Sequence, residues 1–137
     1  MIDSKTVVQT FYDLLSNPSS KSHVNAFKAI VADNWESISD YSGKNKSCDD
    51  FLEQVEYFAT LIPDLNWAVE EMLQKGNRVI VRSRATGTPN GELFGVDGKG
   101  KSFEILTIDI HTLEGGKLIQ SYHVEDWKGA INQLSAS

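Results

Sequence analysis

Between Lys101 and Leu134 the chain gathers Asp109, His111, His123, Glu125 and Asp126, its densest set of groups able to move protons. An unperturbed imidazole titrates near pH ~6.5 and can both take and give a proton, so His123 is the leading acid/base candidate. A carboxylate at Asp109 would fix the tautomer of that imidazole, and a carboxylate held inward between Ile108 and Ile110 would be costly without such a partner. The chemistry open to this pair is general acid/base proton transfer. Tyr122, Ser121, Arg82 and Trp35 are candidate hydrogen-bond donors to charge that develops on a ligand. The opposing reading makes His123 a core histidine bonded to Asp109 for stability alone. His111 lies nearer the turn and reads as a surface or rim residue. Glu125 falls either at a pocket mouth or on an exposed strand end, and Asp126 reads as the cap of a final helix over Trp127 to Leu134.

Positioning these groups requires a hairpin. Phe103, Ile105, Leu106, Thr107, Ile108 and Ile110 suit a pleated strand, and Leu113-Glu114-Gly115-Gly116-Lys117 reverses it. The preferred reading is a three-residue loop with Gly116 in the left-handed region, where only glycine sits without steric cost. Leu113 then faces Lys117, Asp109 faces Ser121 and Thr107 faces His123. Asp109 and His123 become diagonal neighbours, roughly 7–8 Å apart. A two-residue loop at Gly115-Gly116 would set Asp109 against Tyr122 and turn His123 to the other side. In the preferred register the even-numbered Leu106, Ile108, Ile110, Leu118, Tyr122 and Val124 form an apolar face, read as a subunit interface. The odd face mixes Phe103, Ile105 and Ile119 with Thr107, Asp109, Ser121, His123 and Glu125, and reads as a pocket lining.

Upstream, glycine is nearly absent before Gly76, which separates a helical first half from a sheet-forming second half. Val7, Val8, Phe11, Leu14 and Leu15 keep helical spacing behind a cap at Asp3 or Ser4, and Asn17-Pro18 stops that helix. A second helix from about Ser22 buries Val24, Phe27, Ile30 and Val31. Asn34 to Ile38 reads as a brief strand or crossing segment, and the polar Ser39 to Ser47 loop as a possible lid. Ser47 to Asp50 resembles a capping box opening a third helix with Phe51, Leu52, Val55, Phe58 and Ile62, closed by Pro63. Strands follow at Leu65 to Val69 and Arg78 to Thr86, with Arg82 and Arg84 expected in structural ion pairs. The glycine-rich Gly87 to Gly100 stretch reads as an irregular hairpin or flap. Helices followed by a mostly antiparallel sheet make the class α+β.

Length and composition narrow the function. At 137 residues the chain is expected to be one domain, 1–137. A net charge of −6 argues against nucleic acid and anionic membranes as partners. The single cysteine, Cys48, allows no internal disulfide, and MIDSKTVV lacks the regions of a secretory signal, so a cytoplasmic location is expected. His23, His111 and His123 have no metal-ligand spacing, and no nucleophile elbow or phosphate loop is present. No cofactor and no metal are expected.

Pro63-Asp64-Leu65, Gly76 with Arg78-Val79 and Arg82, Gly87-Thr88, Gly91 and Phe94-Gly95 recur in order and spacing with Gly100-Lys101, Ile108-Asp109-Ile110, Gly116-Lys117 and Asp126 to Leu134. In these features the chain resembles the SnoaL-like polyketide cyclases of the nuclear transport factor two-like superfamily. The resemblance implies a cone-shaped α+β barrel, with N-terminal helices on a curved sheet around one apolar pocket, and a homodimer through the outer sheet face. It also implies ring closure by intramolecular aldol condensation without a cofactor. The family's acid/base aspartate on the last strand falls on His123, and its histidine partner falls near Asp109, so the pair is exchanged here. Ketosteroid isomerase and scytalone dehydratase share related cones, so isomerase and dehydratase versions fit, as does a non-catalytic module for a hydrophobic metabolite. The site residues expected are His123 and Asp109 as the catalytic pair, with Trp35, Tyr122, Ser121, Thr107, Phe58 and Tyr12 contacting a small apolar ligand.

Overall fold

The computed structural model describes residues 3–136. Two helices, α1 (Ser4–Ser16) and α2 (Lys21–Ile30), lead into strand β1 (Val31–Ile38) and helix α3 (Cys48–Leu61). Strands β2 (Asn66–Lys75) and β3 (Arg78–Gly87), a short hairpin of β4 (Glu92–Leu93) and β5 (Val96–Asp97), and the long pair β6 (Phe103–Glu114) and β7 (Lys117–Glu125) follow. Helix α4 (Trp127–Ser135) closes the chain. The main sheet runs β1-β7-β6-β3-β2, with β1 parallel to β7 and the other neighbours antiparallel. It is an open, curved sheet whose cone is completed by helices, not a barrel closed by strands. Among the described residues no helix is long and apolar enough to cross a membrane.

The helices form where the sequence supplies both an apolar stripe and a start signal. Helix α1 buries Val7, Val8, Phe11, Tyr12, Leu14 and Leu15 on one face. The hydroxyl of Ser47 caps α3 by accepting from the Asp50 backbone N–H at 3.2 Å, and Asp126 caps α4 by accepting from the Gly129 N–H at 2.9 Å. Asp3 occupies the cap position of α1 without a side-chain hydrogen bond. Two apolar clusters result. One joins α1, α2 and α3 to Val79, Val81, Leu113 and Leu118, and the other joins Ile62, Ala85, Phe103 and Ile105 to α4. Each fully buried large side chain contributes about 1.5–3 kcal/mol of hydrophobic stabilisation.

The β6–β7 hairpin departs from both of the expected registers. Its loop has two residues, because Glu114 pairs with Lys117 and both glycines have positive φ, 60° at Gly115 and 79° at Gly116. That is the φ pattern of a type I′ turn, whose twist matches the flanking strands. Leu113 pairs with Leu118 but Thr112 pairs with Gln120, so Ile119 is an extra residue in a β-bulge. The bulge moves every later partner by one, and Asp109 comes to lie directly opposite His123. The expected diagonal is therefore a direct cross-strand pair, set by a bulge that hydrophobic alternation does not reveal. The two-residue loop, by pairing Leu118 with Leu113, turns Leu118, expected on the outer face, fully into the core, and the bulge beyond it restores the expected outward side at Tyr122. Tyr122 is 37% exposed, so the expected ligand contact there is corrected: the residue lies on the side of the sheet away from the pocket.

The outer face carries Leu106, Ile108, Tyr122 and Val124, all exposed. Arg82 pairs there with Glu71 at 3.2 Å, and Arg84 with Glu70 and Glu104 at 3.1 and 3.4 Å. Arg82 thus lies remote from the inward groups that it was expected to assist. Val31, expected inside the second helix, instead begins β1.

Candidate functional site

The odd-numbered residues of β6, and those of β7 beyond the bulge, project to the inner side of the sheet, toward the helices. Asp109 and His123 are 2% and 6% exposed, and His123 Nδ1 lies 2.9 Å from Asp109 Oδ1. The second carboxylate oxygen of Asp109 accepts from the Tyr12 hydroxyl at 2.6 Å. Tyr12 Oη in turn lies 2.9 Å from His111 Nε2, and His111 Nδ1 lies 2.7 Å from Ser121 Oγ. The indole N–H of Trp35 donates to Ser121 Oγ at 3.0 Å. All five side chains that lead to His123 are buried.

Counting hydrogens assigns each link of this chain. The tyrosine hydrogen goes to Asp109, so Tyr12 Oη must accept from His111 Nε2–H. His111 Nδ1 is then an acceptor and takes the Ser121 hydroxyl hydrogen, while Ser121 Oγ accepts from Trp35. Every donor points one way, toward Asp109, which also accepts from His123 Nδ1–H. His123 is left with Nε2 as a bare lone pair, buried and without a hydrogen-bond partner among the described residues. Electrostatics agree with this polarity. Burial pushes the His111 imidazole down to about 4, against a smaller upward pull from Asp109, so the ring is neutral. Burial, then the negative charge of Asp109, holds the Tyr12 phenol well above its ordinary range, so it stays a donor.

His123 lines a cavity of about 60 Å³, several times the ~10–15 Å³ that one water needs. Phe11 from α1 and Phe51 from α3 lie nearly parallel to the imidazole, at 10° and 18°, with ring centroids 5.5 and 6.0 Å away. Phe58, Trp67 and Trp127 extend the apolar wall, Ser37, Ser39 and Gln54 add polar groups, and Glu125 completes the acid/base floor beside Asp109. A partly buried Glu125 accepts from the Trp127 indole N–H at 3.2 Å. Burial, then Asp109, raises its carboxyl above the ordinary range. Donor atoms of Asp109, His123 and Glu125 lie within 4.8 Å of one another, a grouping that histidine spacing alone does not disclose. Both Asp109 oxygens and His123 Nδ1 are already engaged in hydrogen bonds, so a cation would have to break that pairing.

The residues singled out from the sequence thus divide. His123, Asp109 and Phe58 line the cavity. Tyr12, Ser121 and Trp35 lie behind it, in the chain that holds Asp109, and Thr107 accepts from the Trp67 indole at 3.2 Å without lining the cavity. These four are corrected from ligand contacts to supports, because their side chains are enclosed between sheet and helices. His111, expected at the surface, is fully buried at the centre of the network. Its odd number, shared with Asp109, is the sequence signal that places it inward. Glu125 was separable from a mere strand end only once Thr107 was seen to be its partner.

The family model for SnoaL-like polyketide cyclases matches residues 5–134. Among solved structures, IdmH from Streptomyces antibioticus is similar at a TM-score of 0.85 and 17% identity, over 98% of this chain and 100% of that one. TsrD from Streptomyces laurentii gives 0.82 at 17% identity, with 100% of both chains covered. A SnoaL-like polyketide cyclase from Agrobacterium tumefaciens gives 0.80 at 18% identity, over 98% of this chain and 100% of that one. At such identities the likeness is one of fold. No curated protein matches the sequence.

Proposed function

Because the chain belongs to the SnoaL-like polyketide cyclase family, we propose that it is a cofactor-independent enzyme that moves protons on a small, largely apolar carbonyl compound. The observation that carries this reading is the bare, buried Nε2 of His123, a residue that lines the cavity, with Nδ1 tied to Asp109. Nε2 takes the α-proton, and the carboxylate of Asp109 stabilises the imidazolium that forms. The aromatic walls keep water from competing and strengthen each charge interaction. Aldol ring closure, isomerisation and dehydration can all begin with this step, so one assay covers them.

That assay is hydrogen–deuterium exchange in heavy water, followed by NMR over a panel of ketones and β-dicarbonyl compounds. Wild type is expected to catalyse exchange at carbons beside the carbonyl, and His123→Gln to lose it by about 10²–10⁴-fold. Absence of exchange with every compound would shift the reading to a non-catalytic module that holds a hydrophobic metabolite.

We further propose a homodimer through the outer sheet face. The exposed Leu106, Ile108, Tyr122 and Val124 form an apolar patch flanked by ion pairs, the pattern of a subunit contact. Sedimentation equilibrium is expected to give a dimer at micromolar concentration and a monomer for Val124→Glu. A monomeric wild type would remove this account of the patch.

A further inference from the structure

Asp109 and Glu125 are two carboxyl groups sharing one cavity floor with one imidazole, and the hydrogen-bond donors are divided unequally between them. Asp109 takes two, the Tyr12 hydroxyl at 2.6 Å and His123 Nδ1 at 2.9 Å. Glu125 takes a single indole N–H from Trp127 at 3.2 Å, and among the described residues no lysine or arginine forms an ion pair with it. Two carboxylates this close do not both ionise easily, and the one with fewer donors keeps the proton. The donor count therefore makes Asp109 the anion and Glu125 the acid.

Resting on the proton-transfer reading of His123, we propose that Glu125 is a second catalytic residue, a carboxylic acid that donates its hydrogen to the carbonyl oxygen of the substrate while His123 removes the neighbouring α-proton. The geometry suits one enolisable O=C–C–H unit. Glu125 lies two residues beyond His123 on the same face of β7, both line the cavity, and a carboxylate oxygen of Glu125 lies within 4.8 Å of a ring nitrogen of His123. The His123 lone pair takes the proton, the C–H electrons become a carbon–carbon double bond, and the carbonyl π electrons move to the oxygen that Glu125 hydrogen-bonds. Returning the proton from the imidazolium to carbon reverses the flow and restores Glu125 as donor. The substrate class follows: a carbonyl compound whose oxygen lies toward the Trp127 side of the cavity and whose acidic carbon lies under Phe11 and Phe51. The groups that face Glu125 are Asp109 on β6, His123 on its own strand, the Trp127 indole on α4 and, weakly, Lys46 from the loop before α3.

Two measurements test the assignment. Carboxyl-carbon NMR of glutamate-labelled wild type is expected to show one glutamate titrating above the ordinary carboxylate range, a signal lost in Glu125→Gln. This needs no substrate. In acetylacetone exchange, Glu125→Ala is expected to fall by about 10²–10³-fold, as when an oxyanion donor is removed. Wild-type exchange is expected to fall in rate on the alkaline side as Glu125 ionises. Glu125→Gln, which keeps an N–H donor that cannot ionise, should recover much of the alanine variant's loss and abolish that fall. A Glu125 that titrates in the ordinary range, or a Glu125→Ala protein that exchanges like wild type, overturns the proposal. The two readings fail separately. A wrong base assignment leaves exchange unchanged in His123→Gln with Glu125 still titrating high, and if acetylacetone is not exchanged at all the carboxyl titration alone decides.

Discussion

Asp109→Asn is expected to slow α-proton exchange by about 10³–10⁴-fold, the scale of loss when a catalytic imidazole is held in the wrong tautomer. Tyr12 must still give its hydroxyl hydrogen away, since its oxygen is committed to His111 Nε2–H. The asparagine carbonyl therefore turns to Tyr12, and its amide N–H₂ faces His123 Nδ1. An N–H there can bond only to a bare Nδ1, so the ring hydrogen moves to Nε2 and points into the cavity. The base is gone although every hydrogen bond survives, and the protein should stay folded. Imidazole-nitrogen NMR checks this directly: the protonated nitrogen of His123 should switch from Nδ1 to Nε2. Exchange near the wild-type rate would sink the tautomer argument.

The second large effect is on stability in acid. His111 is fully buried, and its proton affinity is pushed down from 6.5 to about 4. Below pH 6.5 the unfolded chain takes up a proton at His111 that the folded chain refuses until about pH 4. The unfolded state binds more protons in that window, so folding stability falls as pH falls, and the contribution is fully present above it. Each pH step of one across the window changes stability by about 1.4 kcal/mol, so the full span contributes about 3 kcal/mol. Denaturant unfolding of wild type and His111→Gln from pH 7 down to pH 4 should show a shallower pH slope in the variant by about one proton. Parallel slopes would mean that the interior accommodates a charged His111. Protonation also demands a second acceptor at Nδ1, which forces the Ser121 hydroxyl hydrogen away from the ring and leaves it without a partner.

Much of this architecture was legible in side-chain type and period. Apolar spacing gave the three upstream helices, with Ser47 and Asp126 marking two starts, and β-branched alternation gave β6 and its neighbours. The inward pairing of Asp109 with His123 was approached by a register that is not the one adopted. Two differences add there, the loop having one residue fewer and the strand one residue more, so the partner of Asp109 moves two places, from Ser121 to His123, and the inward face is kept. A bulge leaves no mark in hydrophobic pattern, since Ile119 is as apolar as the residues on either face. The direction of the hydrogen-bond chain was out of reach for a different reason. It depends on Tyr12, 97 residues away from Asp109, meeting a sheet whose faces were not yet assigned. His111 was misplaced because nearness to a turn suggests exposure, whereas β6 runs deep enough beneath α1 to bury it.

The extra residue at Ile119 gives the last strand two reading frames. In the frame adopted, Ser121, His123 and Glu125 face the inner side of the sheet. In the frame without the bulge, Asp109 meets Tyr122, and the inward set becomes Gln120, Tyr122 and Val124. One strand thus encodes an acid/base wall and one without a carboxylate or an imidazole, a single step apart. Any relative that lacks the additional residue presents its equivalent wall at positions numbered one lower. Aligning such a chain to this one without a gap near Ile119 would match a catalytic side chain to one that faces outward.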